Sequence, residues 1–459
     1  MSHWTKQAVF YHIYPIGMLG APQYNDQTTA PVDRLSELRD WIPHLLEIGV
    51  NAIYLGPLFE SLTHGYDTID YTTVDRRLGT NDSLSAFVLT CHASGIRVVL
   101  DAVLNHVGRE FPPFVDVLRH GERSPYRGWF HGLEFGKSNS HGDPFSYEGW
   151  NGHTSLVKLN LRDGAVREYL FNSVEDWIKR YRIDGLRLDA ADCLDPEFMR
   201  ELRVRTGKVA GSVGVDGFWL MGEVVHGDYR EWANPETLDA VTNYEAYKSL
   251  YSSHNDRNYF EVSWTLNRQF GADGLYRDIG MYNFVDNHDV TRVASVLNNA
   301  AHLYPLHILL FTMPGIPSIY YGSEWGIEGR KEPYSDAPLR PRLTPERADS
   351  MAVHPDLVHA VKRLASIRAA HPALREGGYR ELHVSHEQFA FTRPGEGEQV
   401  IVVVNSSSRS ASCTLRADAV PDGEFVDALS PADRFRARNG SLEIGRIDPS
   451  WGRILVPVY

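Results

Sequence analysis

Eight short apolar runs punctuate the first 375 residues: AVFYHIY (8–14), VNAIYLG (50–56), GIRVVLDAV (95–103), IDGLRLD (183–189), FWLMGEV (218–224), the weaker LDAVTNY (238–244), MYNFVD (281–286) and IPSIYYG (316–322). Between them lie longer stretches such as LSELRDWIPHLLEIG and AVREYLFNSVEDWIKRY, whose apolar residues recur at helical spacing. Continuous apolar strands joined by helices indicate a parallel sheet covered on both faces. Eight such units predict an α/β fold, a closed (β/α)₈ TIM barrel.

Two stretches depart from the repeat. Residues 104–160 follow the third run, are rich in Gly, Pro, His and aromatics, and are too long for an ordinary connection, so an inserted lobe beside the cleft is expected. Beyond the helical pattern ending near Ala370, QFAFTRPGEGEQVIVVVNSSS and the closing ILVPVY alternate and are rich in turns, which predicts a C-terminal antiparallel β-sandwich. The expected domains are thus a barrel of residues 1–103 and 161–375, an inserted domain of 104–160, and a sandwich of 376–459.

The chain of 459 residues is 42% hydrophobic and can bury a large core. Its 46 basic and 59 acidic residues leave a net charge of −13 with no basic run or face, which argues against nucleic acid and anionic membranes as partners. MSHWTKQAVFYHIYP lacks the apolar core of a secretory signal, and no segment approaches transmembrane length, so a soluble cytoplasmic protein is expected. Cys91, Cys193 and Cys413 are odd in number and far apart, as reduced buried thiols would be.

In such barrels the reacting groups project from the C-terminal ends of the strands. The third run ends in Asp101, Asn105 and His106, and the fourth in Arg187, Asp189 and Asp192; Glu223 and His226 end the fifth, and Asp286, His288 and Asp289 the seventh. A single Asp at a strand end commonly caps the next helix, and Asp101 and Asp192 fit such an orienting or capping role. What points to chemistry is convergence of three carboxylates, two histidines and an arginine on one cleft. No phosphate-binding loop, nucleophile elbow, HExxH or zinc-spaced Cys/His pattern competes, so no cofactor is required by the pattern. Aromatics of the lobe and loops (Tyr66, Trp129, Phe130, Phe135, Tyr147, Trp150) either pack the lobe or stack on sugar rings.

Four of these strand ends together resemble the α-amylase family, glycoside hydrolase family 13: DAVLNH (101–106), GLRLDAAD (185–192), GEVVH (222–226) and FVDNHD (284–289) match its signature regions in order, and the resemblance covers essentially the whole chain. It implies a retaining hydrolase of α-1,4-glucosidic bonds, with α-1,6 bonds as a further target, in linear, cyclic or branched maltooligosaccharides. Asp189 matches the nucleophile, Glu223 the acid/base and Asp289 the third carboxylate. The retaining chemistry implies a separation of about 5–5.5 Å between the first two. Arg187 is expected to keep Asp189 ionised, while Glu223 holds its proton near neutral pH. His106 and His288 match histidines that bond the sugar at the cleavage point, and Tyr66 in THGYDTIDY the tyrosine that stacks beneath it.

Within the family, LVKLN (156–160) and the His226 of GEVVH resemble cyclomaltodextrinases, neopullulanases and maltogenic amylases. Three departures stand beside that. The chain starts at the first barrel strand without their N-terminal domain, leaving the oligomeric state open; Val225 occupies the place of their tryptophan beside the acceptor subsites; and FVDNHD reads like a general α-amylase. Such a hybrid resembles compact enzymes like cyclic maltosyl-maltose hydrolase. Thr63 stands where exo-acting α-glucosidases and oligo-1,6-glucosidases carry an aspartate, which makes that reading the second choice; transglycosylation and a non-catalytic carbohydrate-binding role are further alternatives. Asn105 matches a calcium ligand of secreted α-amylases, and calcium stays open.

Overall fold

A computed structural model describes residues 3–416 and 420–458; Met1 and Ser2 of the expected barrel, and 417–419 and Tyr459 of the expected sandwich, lie outside the described residues. The eight apolar runs become eight parallel strands, Phe10–Ile13, Ala52–Leu55, Arg97–Ala102, Gly185–Leu188, Trp219–Gly222, Ala240–Thr242, Gly280–Asn283 and Ile316–Tyr320. They close into a barrel in chain order, the first pairing with both the second and the eighth. Successive side chains alternate between two apolar environments. Phe10, Tyr54, Val99, Trp219, Met221 and Tyr282 pack together inside the barrel. Tyr11, Ile53, Val98, Leu100, Leu220 and Met281 belong to the cluster that faces the helices. This double burial is why the strands read as unbroken apolar runs. Gly185 permits close approach of the fourth and fifth strands, since a Cβ there would sit 2.5 Å from the Trp219 carbonyl oxygen.

The helices follow from the 3.6-residue pattern and its punctuation. Helix Gly164–Tyr181 starts where the Asp163 side chain accepts from the Ala165 and Val166 amides, and it buries Val166, Leu170, Val174, Trp177 and Ile178. LSELRDWIPHLLEIG is not one helix. It forms a 3₁₀ segment, Leu35–Trp41, followed by the α-helix Ile42–Glu47, because Pro43 has no amide hydrogen to extend a single ladder through that point.

Residues 104–160 carry a three-stranded sheet (His106–Gly108, His153–Lys158, Gly149–Trp150), a short pair (Glu134–Phe135 with Phe145–Ser146) and helix Pro112–His120. Phe130, Phe145 and Tyr147 pack edge-on around Phe114, so these aromatics build the lobe. Beyond helix Pro372–Glu376 the chain forms a six-stranded sheet and a facing pair, Ala411–Arg416 with Ser441–Ile447. A separate core containing Ile401, Val403, Phe425 and Leu455 fills the space between them. Among the described residues no helix is long and apolar enough to cross a membrane. All three cysteines are unpaired, but the expectation of three buried thiols holds only for Cys91: Cys413 is half-buried and Cys193 exposed, because it sits on a 3₁₀ turn (Ala191–Cys193) at the barrel mouth rather than on a packed face.

Candidate active site

The alternation that fills the barrel also aims its last polar residues. Arg187 is the register partner of Asp101 on one side and of Met221 on the other, and Met221 points inward. Asp189 and Glu223, each two residues farther along its strand direction, share that inward face where the chain leaves the sheet. Directly after Asp189 the backbone turns through Ala190, a non-glycine residue in the left-handed region (φ 44, ψ 49). That turn brings the Ala190 amide to 3.3 Å from Glu223 Oε2 and the Ala191 amide to 3.0 Å from the Glu223 carbonyl oxygen. Backbone strain of this kind persists where the surroundings over-determine it.

Arg187, 3% exposed, holds three carboxylates at once. Its Nη1 lies 2.8 Å from Asp101 Oδ1 and 2.8 Å from Asp189 Oδ1, and its Nη2 2.7 Å from Glu223 Oε2. Asp101 also accepts from the Tyr54 hydroxyl at 2.7 Å and the Tyr66 hydroxyl at 3.1 Å, which accords with its expected orienting role. Reading the sequence assigns Arg187 to Asp189; the structure divides one positive charge among three negative ones. Burial is accordingly the largest influence on Asp189 and pushes its proton affinity well above the usual carboxylate range; Arg187 opposes this, and the charges of Glu223 and Asp101 reinforce it.

The other side of the mouth comes from the loops after the seventh and eighth strands. His288 Nε2 lies 3.0 Å from Asp289 Oδ2 and touches the Tyr66 hydroxyl, while Tyr14 stacks on the His288 ring at 5.6 Å. Arg340 Nη2 contacts Asp289 Oδ1 at 2.9 Å and Asp336 Oδ2 at 3.0 Å, and its Nε donates to the His288 carbonyl oxygen. Lys331 Nζ donates to the Asp289 carbonyl oxygen at 2.8 Å. Burial would raise Asp289, but His288 and then Arg340 outweigh it and hold this carboxyl far below its usual range. Tyr66 sits in the turn between two antiparallel strands, Phe59–Ser61 and Thr68–Val74. Gly65 ahead of it adopts φ +93, and a Cβ there would meet Pro57 at 2.7 Å. Thr63 caps the same turn, its hydroxyl donating to Asp67 at 2.7 Å.

His106 reaches the mouth from the lobe side, its Nε2 3.8 Å from Asp189 Oδ2 and its ring 5.7 Å from Trp150. Burial pushes it down to about 3, so the ring is neutral, and its Nε2 has no hydrogen-bond partner. A sugar hydroxyl is a suitable partner for such an orphan. Val225 and His226 are exposed, on the rim rather than in the buried cluster. Asp192 is exposed too, and Asp286 is structural: it accepts from the Val293 amide and the Ser323 hydroxyl. Asn105 Nδ2 faces His106 Nδ1 at 3.3 Å, and its Oδ1 is buried without a partner. Calcium needs six to eight oxygens. Among the described residues no three His, Cys, Asp or Glu side chains gather as a group that could hold a metal ion.

Four site residues escape the motif reading. Arg340 and Lys331 lie in a loop without a recognisable pattern, and His12 is hidden in an apolar strand, stacked on Tyr54 at 4.3 Å. Tyr244, which bonds Glu223 Oε1 at 3.3 Å, lies two residues beyond the sixth strand and could have been found by asking what ends LDAVTNY. His12, Arg187, Glu223, Tyr244, Asn287 and His288 are among the residues around a cavity of ≈ 20 Å³, space for about one water.

The α-amylase catalytic-domain pattern matches residues 23–362 of this chain. The chain belongs to the α-amylase family. It is a glycosidase of that family and hydrolyses α-glucosidic bonds with retention. Among curated proteins, a cyclomaltodextrinase of Bacillus sp is 34% identical over 432 residues, covering 90% of this chain and 75% of that protein. Among solved structures, a cyclomaltodextrinase superposes with a TM-score of 0.84 at 28% identity, covering 100% of this chain and 79% of that one. The cyclic α-maltosyl-(1→6)-maltose hydrolase from Arthrobacter globiformis, in complex with its cyclic saccharide, gives 0.80 at 27% identity and 99% coverage of both chains.

Proposed function

We propose that Asp189 is the nucleophile, Glu223 the general acid and then base, and Asp289 the carboxylate that grips the hydroxyls of the distorted sugar. The observation that carries this reading is the Arg187 guanidinium bridging Asp189 and Glu223, which brings both carboxylates to one small volume at the barrel mouth. Glu223 donates its proton to the glycosidic oxygen as Asp189 attacks the anomeric carbon; in the second half, Glu223 takes a proton from water, which displaces Asp189. Tyr66, His288 and His106 surround the sugar undergoing cleavage, Arg187 neutralises the pair, and Val225 and His226 face the outgoing portion of the glucan.

The substrates in this reading are short α-1,4-linked maltooligosaccharides, with cyclic and branched forms included; the likeness to cyclomaltodextrinases and to cyclic α-maltosyl-(1→6)-maltose hydrolase supports it. The exposed Val225 offers no aromatic wall to an acceptor sugar, which favours water over a sugar hydroxyl and thus hydrolysis over transfer. The barrel is assigned to residues 1–103 and 161–375, the inserted domain to 104–160 and the sandwich to 376–459, supported by the break between helix Pro372–Glu376 and the first sheet strand, Arg380–Val384. A cytoplasmic setting accords with three unpaired cysteines. The test is a panel of maltotriose, panose, pullulan, cyclodextrin, starch and cyclic maltosyl-maltose with product chromatography. Wild-type protein should release short maltooligosaccharides, and Asp189→Asn and Glu223→Gln should each lose on the order of 10³-fold or more in kcat. More than a few per cent residual activity in folded protein would sink the assignment.

A further inference from the structure

We infer that Tyr244 is a positioning residue for Glu223, and that Asn287 sets the direction of its hydroxyl proton. The Tyr244 hydroxyl donates to Glu223 Oε1 at 3.3 Å and accepts from Asn287 Nδ2 at 3.1 Å. An amide N–H can only donate, so the Asn287 contact occupies an acceptor site on the tyrosine oxygen and leaves its hydrogen for the carboxylate. Asn287 is itself fixed, its Oδ1 accepting from the Asp289 amide at 2.8 Å. The result is a chain from the seventh-strand loop, through a residue two beyond the sixth strand, to the carboxylate that follows the fifth. Burial raises the Tyr244 phenol well above its ordinary range, so it remains a donor at every pH of interest.

A donor directed at Glu223 favours the ionised form of that carboxylate. Arg187 and the Ala190 amide already hold Oε2, and Tyr244 holds Oε1, so both oxygens are oriented before substrate arrives. In the second half-reaction the same arrangement suits a base that must collect a proton from water; in the first, Glu223 leaves the Tyr244 bond to donate to the glycosidic oxygen. Other groups set the field around it. Arg187 and Asp189 come from the fourth strand, Asp101 acts across Arg187, and Tyr54 faces it from the second strand. His12 and His288 line the same cavity, and the charge of Asp289 acts on Tyr244 as well. None of these donates to Oε1.

The inference rests on Glu223 being the acid/base, and the experiment separates the two. The pH dependence of kcat/KM on maltotriose would be measured for the wild type, Tyr244→Phe, Asn287→Ala and Glu223→Gln. The basic limb reports loss of the acid's proton in the free enzyme. Tyr244→Phe removes one hydroxyl from a ring otherwise in place, and it should move the basic limb up by about one pH unit while lowering kcat. Asn287→Ala frees the hydroxyl proton to rotate and should move the limb the same way by less. A Tyr244→Phe protein of lower activity but unmoved limb, or a limb shifted downward, would overturn the positioning role. Near-normal activity of Glu223→Gln would overturn the acid/base reading instead. Should Tyr244→Phe fail to fold, an unmoved limb in Asn287→Ala decides against the inference.

Discussion

Arginine is buried at two places in this molecule for different ends. At the barrel mouth Arg187 faces Asp101, Asp189 and Glu223, and although burial works against its charge, Asp101 and Glu223 reinforce it. At the seam between the barrel and the C-terminal sheet, Arg368 and Arg393 face carbonyl oxygens. Arg368 donates to those of Phe311, Leu374 and Gly315, and Arg393 to those of Gly378, Thr312, Leu374 and Gly377. Burial pushes Arg368 down to about 9, with the charge of Arg375 adding to it, and Arg393 also well below its usual value, with the charge of Arg368 adding to it. A guanidinium among carbonyls closes the ends of helices and strands and joins two sheets. A guanidinium among carboxylates gathers groups that repel each other and so creates reactivity. Without a counter-charge, carboxylates do not stay together in a dry site.

The largest effect that would break this comparison belongs to Arg187→Met. It leaves three carboxylates without their cation and should cost about 3–5 kcal/mol in chemical denaturation, together with nearly all activity. Arg393→Met strands carbonyl oxygens but also removes a cation held without a counter-charge; the expected cost is about 1–3 kcal/mol with kcat/KM within about twofold of wild type. If Arg393→Met silenced the enzyme while unfolding normally, the division between stapling and reactive arginines would be wrong.

A smaller effect is read from pH. The proton affinity of Asp189 is higher folded than unfolded, so its contribution to stability is complete below the ordinary carboxylate range and is lost as pH rises through the raised value. Activity runs oppositely, falling as pH drops through that value, because the nucleophile must be ionised. Asp189→Asn cannot titrate, so its Tm should exceed that of the wild type at neutral pH and converge with it in acid; equal curves throughout would remove burial as the dominant influence on Asp189. Asp289 has the opposite sign, its contribution present above the ordinary carboxylate range and lost only as pH falls toward its depressed value.

The smallest effect is at the rim. Val225→Trp changes an exposed side chain, so stability should move by no more than about 0.5 kcal/mol. At high maltose, chromatography should show a few-fold larger share of transfer products; an unchanged ratio would dissociate this position from acceptor binding.

How much of this was legible in the chain depends on the range of the interaction that places each residue. The eight strands, their order and the inward aim of Arg187, Asp189 and Glu223 follow from local periodicity, because alternation along a strand and burial on both faces leave a continuous apolar trace. Tyr66 was legible because THGYDTIDY resembles the segment around the family's stacking tyrosine. Cys193 was misjudged, since an apolar neighbourhood in sequence does not say whether a turn at the mouth faces inward. Arg340, Lys331 and His12 left little trace, because their roles are contacts between neighbouring strands or loops whose residues lie far apart in sequence, and Tyr244 was legible only as the end of LDAVTNY, not as a partner of Glu223.

The amino-acid sequence by itself therefore determined the barrel, the lobe, the terminal sheet and the carboxylates at the strand ends, all consequences of short-range pattern. Only the tertiary structure decided which charges share a counter-ion, which oxygen of Glu223 is held by Arg187 and which by Tyr244, and that Asp289 is clamped by Arg340. Those depend on distances of a few ångströms between distant segments in a dry site, where the Coulomb energy of a misplaced charge is large.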